Sequence, residues 1–151
     1  MTGETVNLSA NVAITVHDAD TGAVLERQEA HNLVVNAGLN LIRDLLDGDA
    51  VAGITHFAVG TGASAVAAGD TTLSTEVFRA AVTGRTSNAQ QLVMTYYLAS
   101  GSANGNTLTN AGLFNAASSG TMFARVKFAS SIVKTASIAV TFTWTINLGA
   151  S

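Results

Sequence analysis

The 151-residue chain contains no cysteine and no proline, and it has few charged side chains. The absence of cysteine excludes disulfide bonds and thiolate metal sites. Without proline, the edges of a β-sheet must be protected by short strands, by bulges or by pairing with a neighbouring chain. Charged residues make up 11% of the sequence, whereas a typical soluble domain has about 25%. We therefore expect a surface built mainly from serine, threonine, asparagine, glycine and alanine.

The net charge of −3 provides no basic surface for nucleic acid. The cations Arg125, Lys127 and Lys134 are too sparse to change that expectation. A neutral surface also lacks the charge repulsion that keeps proteins apart in solution. It favours a protein that works in contact with copies of itself or with other partners. A monomer with a weakly charged surface is the alternative.

Two features of the sequence predict a soluble protein that is made without a signal peptide. The N-terminus lacks the basic segment followed by an apolar segment that a signal peptide has. Residues 51–69 carry no charged side chain, and a stretch of that length is long enough to span a bilayer. Small residues fill this stretch instead of leucine and isoleucine, so we expect no transmembrane helix and no membrane partner.

Alternating apolar and polar residues predict six to eight β-strands. In the first of them, Val12, Ile14 and Val16 share one face; in the last, Trp144 lies on the apolar face, which favours core packing. The predicted strands cover residues 11–17, 23–31, 54–60, 90–99, 107–115, 121–129 and 137–147. In the strand at residues 121–129, the alternation places Arg125 on the polar side.

One helix is predicted after the first hairpin, with Asn36 as its N-cap and Gly48 placed to end it. Its apolar stripe consists of Leu39, Ile42, Leu45 and Leu46. The predicted fold class is mainly β, an antiparallel β-sandwich or open barrel with one short packed α-helix. Residues 1–9 are predicted to form an N-terminal arm, and residues 10–151 a single β-rich domain.

No pattern in the sequence predicts a metal site. The histidines His17, His31 and His56 lie far apart and lack a ligand spacing such as His-x-x-x-His, so structural roles are expected for them. Residues 18–22, DADTG, begin like a calcium-binding loop, but Ala23 occupies the sixth position, where such a loop requires glycine. A hairpin turn formed by aspartates is the better interpretation.

The sequence also provides no catalytic motif. Residues 60–65, GTGASA, match a dinucleotide-binding fingerprint by letter, but no amphipathic helix follows them, so a flexible loop is expected. Ser64 lies outside a Gly-x-Ser-x-Gly elbow. Asp70 and Glu76 are more typical of capping carboxylates than of an acid/base pair, and Glu76 is expected to pair with Arg79 across a helical turn. The prediction is a protein with no enzymatic activity and no cofactor.

Several blocks of sequence resemble bacteriophage virion proteins. Residues 31–39, HNLVVNAGL, resemble a segment of small phage virion proteins. Similarity to the core of tail-collar fibre proteins lies in residues 54–62 (ITHFAVGTG), 68–73 (AGDTTL), 76–79 (EVFR), 109–115 (TNAGLFN) and 122–125 (MFAR). Together the blocks extend over residues 28–148, and their order and spacing are more specific than any single block.

The resemblance implies a non-enzymatic virion structural protein, a tail-tip or tail-fibre attachment subunit that assembles through protein–protein contacts. It is expected to be made in the host cytoplasm and to reach the virion, with further copies of itself (a trimer is one candidate) and other virion proteins as partners. A capsid decoration protein is the alternative. A second alternative is a carbohydrate- or surface-binding module that uses Tyr96, Tyr97 or Trp144 for stacking.

Two departures from tail-collar fibres bear on the expected role. In those fibres a shaft and a receptor-binding tip follow this domain, whereas the present sequence ends at Ser151, directly after the last predicted strand. An extra hairpin at residues 11–31 precedes the similar region. Receptor binding is therefore not expected from this chain.

The long loop after residues 54–60 is the candidate subunit-contact surface. It leaves a predicted core strand and consists mainly of small residues, so it can reach a neighbouring subunit. The candidate contact residues are Thr61, Gly62, Ser64, Asp70, Thr71 and Thr72.

Overall fold

The computed structural model of the chain describes residues 3–150, which form ten strands and one helix. The elements are β1 (Val6–Asp18), β2 (Val24–His31), β3 (Leu33–Val34), α1 (Asn36–Asp47), β4 (His56–Gly60), β5 (Glu76–Ala81), β6 (Gly84–Asn88), β7 (Gln91–Leu98), β8 (Asn106–Phe114), β9 (Met122–Lys134) and β10 (Ile138–Ala150). Met1, Thr2 and Ser151 lie outside the described residues.

The strands form two five-stranded sheets in which every pairing is antiparallel. The first sheet has the order β2-β1-β10-β7-β6, and the second has the order β3-β9-β8-β4-β5. One buried cluster contains side chains of both sheets, so the sheets pack face to face as a β-sandwich. The predicted fold class, mainly antiparallel β with one short helix, is confirmed.

Strands β1 and β10 form the centre of the first sheet. They pair over thirteen residues, from Val6 opposite Ala150 to Asp18 opposite Ile138. Their predicted apolar faces point into the sandwich, where Trp144 is 1% exposed. Across the core, the ring of Phe57 from β4 stacks on Tyr96 from β7 with 4.4 Å between the ring centroids. Aromatic and aliphatic burial between the sheets is the main stabilising term.

The structure differs from the strand prediction at β1 and at β6, and β9 and β10 extend beyond their predicted ends to Lys134 and Ala150. Strand β1 begins at Val6, so residues 6–9, predicted as part of an N-terminal arm, belong to the first sheet and pair with the end of β10. Strand β6 was not predicted at all. Its sequence, GRTSN, has no apolar alternation because it is an edge strand that is mostly exposed, and backbone pairing with β7 holds it in place.

The helix ends as predicted, but its start and its buried face differ from the prediction. Gly48 adopts a left-handed conformation after the last turn. Val35, not Asn36, occupies the N-cap, and the Asn36 backbone N–H donates to the carbonyl of Ala68. The helix buries Gly38 and Leu41.

The predicted apolar stripe of the helix is therefore largely outside the core. Leu46 is 84% exposed, and Leu39 and Leu45 are also exposed. The cause is a close approach between the helix and β9, because Gly38 lies directly against the backbone of Phe123. This contact places the side of the helix that carries Leu41 against the core. Within the described residues, no helix is long and apolar enough to cross a membrane.

Candidate functional site

The loop of residues 61–75, which joins β4 to β5, covers the outer face of the second sheet. Along β4, Phe57 and Val59 point into the sandwich core, whereas Ala58 points to the opposite face. There Ala58 belongs to a second small apolar cluster with Leu73 of the loop. Leu73 is 6% exposed. The loop is thus fastened to the sheet by an apolar anchor near its C-terminal end.

Arg125 of β9 holds the same loop through polar contacts. Its guanidinium makes five hydrogen bonds, one for each N–H donor. The acceptors are Asp70 Oδ2 (2.7 Å), Ser64 O (2.9 Å), Ser64 Oγ (3.1 Å), Ala65 O (3.1 Å) and Asn110 Oδ1 (3.1 Å). Arg125 is 1% exposed, because the loop covers the face of β9 on which the alternation places it. We call Arg125 together with Asp70, Asn110 and Ser64 the arginine clamp.

The carboxylate of Asp70 neutralises this buried cation. Partial burial acts to raise the pKa of Asp70, but hydrogen bonds from Ala67 N–H and from Arg125, together with the Arg125 charge, outweigh it and lower the pKa below its ordinary 3.8. A carboxyl whose pKa is lowered in the folded state contributes stability above its ordinary pKa and loses it as pH falls. The clamp is therefore fully formed at neutral pH.

Neighbouring polar groups on β8 and β9 continue the clamp along the loop. Asn110, 1% exposed, accepts from Ser74 N–H with its Oδ1 and donates to Ser74 O with its Nδ2, both at 3.1 Å. The hydroxyl of Thr109 donates to Gly62 O at 2.5 Å. Lys127 Nζ donates to Ala63 O at 3.2 Å. Both ends of the loop are thus held by side chains that project from the sheet.

The Gly-x-Gly motif at residues 60–62 has a packing role here. Residues Ser74 and Thr75 return directly over it, with Gly62 N–H donating to Ser74 O at 2.8 Å and Thr61 N–H to Thr75 O at 3.0 Å. A Cβ on Gly60 would lie 2.5 Å from Ser74 O, and one on Gly62 would overlap the Ser74 side chain. The glycines permit close backbone approach, so the structure uses the motif to close the loop.

The six candidate contact residues divide into two groups. Thr61, Gly62, Ser64 and Asp70 take part in the hydrogen bonds that fasten the loop. Thr71 and Thr72 are exposed. The contact role itself stays a prediction. The outward surface of the loop consists of small uncharged residues: Ala63, Ser64, Ala65, Ala67, Ala68, Gly69, Thr71, Thr72 and Thr75.

Sequence reasoning missed the arginine clamp, although one signal of it is present in the sequence. Residues 122–124, MFA, are apolar on both alternating faces, and such a run indicates a strand that is covered on both sides. All three side chains are buried. An arginine that follows directly in a doubly covered strand must find internal acceptors, because a buried charge without partners is very costly.

The other candidate motifs take structural positions. Asp18 Oδ1 accepts from the backbone N–H groups of Asp20 (3.0 Å) and Thr21 (2.9 Å), as expected for a turn between β1 and β2. These bonds, led by the one from Thr21, lower the pKa of Asp18. Between residues 3 and 150, no group of three or more histidine, aspartate or glutamate side chains is placed to hold a metal ion.

The predicted pairing of Glu76 with Arg79 occurs, but on a strand instead of a helical turn. Both residues belong to β5, and Arg79 donates to both Glu76 carboxylate oxygens at 2.7 and 3.0 Å. The guanidinium also lies 3.7 Å from the centre of the Phe114 ring. It donates further to the carbonyls of Ala116 and Ser119, so Arg79 fixes the β8–β9 turn beside the clamp.

Among the aromatic residues considered for glycan stacking, two are in the core. Trp144 and Tyr96 are buried, and Tyr97 is exposed over about half its surface, at 49%. A stacking platform normally requires an open ring face. Of the three candidates, Tyr97 alone has that exposure.

A second buried cation lies at the end of β9. Lys134 is 0% exposed, and its Nζ donates to Asn104 Oδ1 (2.8 Å), Thr135 O (3.0 Å) and Ser100 O (3.2 Å). All three acceptors are neutral, so the ammonium is stabilised by hydrogen bonds to the β7–β8 turn and to the end of its own strand, and not by an acidic partner. Burial lowers the pKa of Lys134 below its ordinary 10.5.

The burial of Lys134 predicts that the free energy of unfolding increases as pH rises into the alkaline range. Between the lowered folded-state pKa of Lys134 and 10.5, the unfolded chain binds more protons than the folded chain, so the free energy of unfolding increases with pH. Tyr96, whose pKa burial raises above 10.0, acts in the opposite direction. We expect the difference in melting temperature between the wild type and Lys134→Met to grow in favour of the wild type as pH approaches 10.5. A constant difference across that range would contradict the prediction.

The arginine clamp joins three of the blocks that resemble tail-collar fibre proteins. Asp70 lies in AGDTTL, Asn110 in TNAGLFN and Arg125 in MFAR, and the three side chains meet in one network. Comparisons of the chain with protein-family models, with curated proteins and with solved structures found no match. The resemblance to tail-collar fibre proteins therefore stays a prediction from the sequence.

Proposed function

We propose that this protein is a non-enzymatic structural protein of a bacteriophage virion, a tail-tip or tail-fibre attachment subunit that assembles through loop 61–75. The observation that carries the proposal is the arginine clamp. It brings separate blocks of the tail-collar resemblance to one place, and the loop they fasten is the candidate contact surface.

The surface of the loop is suited to a protein–protein contact. Its one carboxylate, Asp70, is turned toward Arg125, so the exposed groups are small and uncharged. Burying such a surface avoids the desolvation of unpaired charges. Because the clamp already orders the backbone of the loop, binding of a partner would not carry the entropic cost of ordering a long loop.

Incorporation into particles tests the proposal. In particles of a phage that carries this gene, mass spectrometry is expected to detect the wild-type chain at a low copy number, as an attachment subunit requires. A high copy number would indicate the decoration role instead. Absence of the chain from purified particles would contradict the virion role altogether.

A charge placed on the loop tests the contact surface separately. Thr72→Glu is expected to lower incorporation about tenfold or more, because a carboxylate would be buried without a partner and even about 1.4 kcal/mol has that effect. Thr86→Glu on the exposed edge strand β6 is the matched control and should be incorporated like the wild type. Equal incorporation of both variants would show that loop 61–75 is not a contact.

A further inference from the structure

A cluster of exposed apolar side chains surrounds α1. It consists of leucines from β1, β3, α1 and β10, and we call it the leucine patch: Leu8, Leu33, Leu39, Leu45, Leu46 and Leu148. Leu8 is partly buried and the other five are exposed. Five exposed leucines around one helix form a contiguous group, and such a group needs an explanation.

Three adjoining recesses show that the patch is continuous. One, beside β3, is lined by Leu8, Leu33 and Leu39. The next, on the helix itself, is lined by Leu39, Ile42 and Leu46. The third is a groove of about 260 Å³ between α1 and the first sheet, lined by Ile42, Leu45, Leu8 and Leu148 among others.

The area of the patch approaches what a stable contact requires. The exposed parts of the six leucines amount to roughly 500 Å², within the range of about 300–600 Å² that the largest patch of a typical monomer covers and that is often functional. A standard interface buries about 800 Å² on each partner, with an apolar centre and a polar rim. The patch therefore has the size of an interface centre.

The patch contains both a protruding side chain and a recess. Leu46 is 84% exposed and stands out from the helix, and the apolar groove bounded by Ile42 and Leu45 lies next to it. In a two-fold interface each copy presents the same surface, so one patch must supply both the protruding group and the recess that receives it. This patch supplies both.

The charges beside Leu46 also suit a second copy. Arg43 is 67% exposed at its side chain and pairs with Asp44, and Asp47 lies one helical turn further on. If two α1 helices packed antiparallel, with their centres near Leu45, Arg43 of each copy would face Asp47 of the other. Opposite charges at the rim would favour this register over a parallel one.

We propose that the leucine patch is a homodimer interface, at which a second copy of this chain docks α1 against α1 across a two-fold axis. The interface deepens the assembly role in the proposed function and names its partner and surface. It shares no residue with loop 61–75, so the two surfaces can serve different partners, a copy of the chain and another virion component.

Sedimentation or light scattering of the purified chain tests the proposal. The wild type is expected to be dimeric at micromolar concentration. Leu46→Asp should weaken dimerisation about a hundredfold, because it removes a buried leucine from both halves of the interface and buries two charges. Val133→Asp is the matched control, since Val133 is equally apolar, 64% exposed and on β9; it should leave the dimer intact.

Cysteine cross-linking locates the axis, because the chain has no cysteine of its own. Leu46→Cys is expected to form a disulfide-linked dimer under mild oxidation, whereas Val133→Cys should stay monomeric in a denaturing gel. A monomeric wild type, a trimer, or equal weakening by Leu46→Asp and Val133→Asp would overturn the proposal. Since this test uses purified protein alone, a dimer that is absent from particles would contradict only the virion role.

Discussion

Replacing Arg125 by methionine is expected to lower the free energy of unfolding by about 3–5 kcal/mol, the cost of breaking a buried ion pair by removing one partner. Arg125 is 1% exposed, and its guanidinium supplies five hydrogen bonds to Asp70, Ser64, Ala65 and Asn110. Methionine fills much of the volume but donates nothing. The partly buried Asp70 carboxylate would then lose its cation and keep only the Ala67 N–H, and the Ser64 and Ala65 acceptors would lose the Arg125 donors.

Urea unfolding followed by circular dichroism measures this loss. Lys127→Met is the matched control, because Lys127 lies two residues further along β9, is exposed, and makes one hydrogen bond to the loop at 3.2 Å. We expect that control to change stability by no more than about 0.5 kcal/mol. If the two variants lost equal stability, Arg125 would not be the residue that holds the loop.

The loss of stability at acidic pH provides a second test of the Arg125→Met substitution. As pH falls below 3.8 and through the lowered pKa of Asp70, the wild type loses the contribution of the Asp70–Arg125 pair. In Arg125→Met the pair is already absent. The variant should therefore show a shallower loss of stability between pH 5 and the acid transition, where pH 5 is about one unit above the ordinary aspartate pKa.

The contrast between β10 and β9 shows which parts of the fold could be predicted. In β10, Phe142 and Trp144 share the buried face and Thr143 between them points to the other face, and this alternation follows directly from a strand that is buried on one face only. In β9 the outer face is covered by a loop about 60 residues earlier in the chain. Local periodicity does not contain that information, so it separates Arg125 from the core face but does not predict that Arg125 is buried.

The helix also shows that local sequence patterns do not reveal which face of an element is buried. Its length and its end at Gly48 follow from local propensity and capping. Which face it buries depends on where a neighbouring backbone permits the closest approach. Gly38 provides that approach to Phe123, and the apolar stripe of Leu39, Leu45 and Leu46 is left outside the core as a result.

Alanine at Gly38 is expected to destabilise the protein by about 3 kcal/mol, near the upper range for overpacking a close-packed site. Helix propensity alone predicts the opposite sign, since alanine is favoured over glycine by about 1 kcal/mol in a helix interior. The decisive feature is that a Cβ on Gly38 would overlap the backbone carbonyl of Phe123. A backbone group in a central strand cannot move aside as a flexible side chain can, so the helix must move.

Asn40→Ala on the same helix separates packing from propensity. Asn40 is exposed, so this variant should gain about 0.5 kcal/mol from propensity alone. Opposite shifts of the melting temperature, down for Gly38→Ala and up for Asn40→Ala, are the expected pattern. If both variants were stabilised, the helix would not be docked through Gly38. Leu41, which is 4% exposed, should become accessible in Gly38→Ala, because displacing the helix from Phe123 withdraws Leu41 from the core.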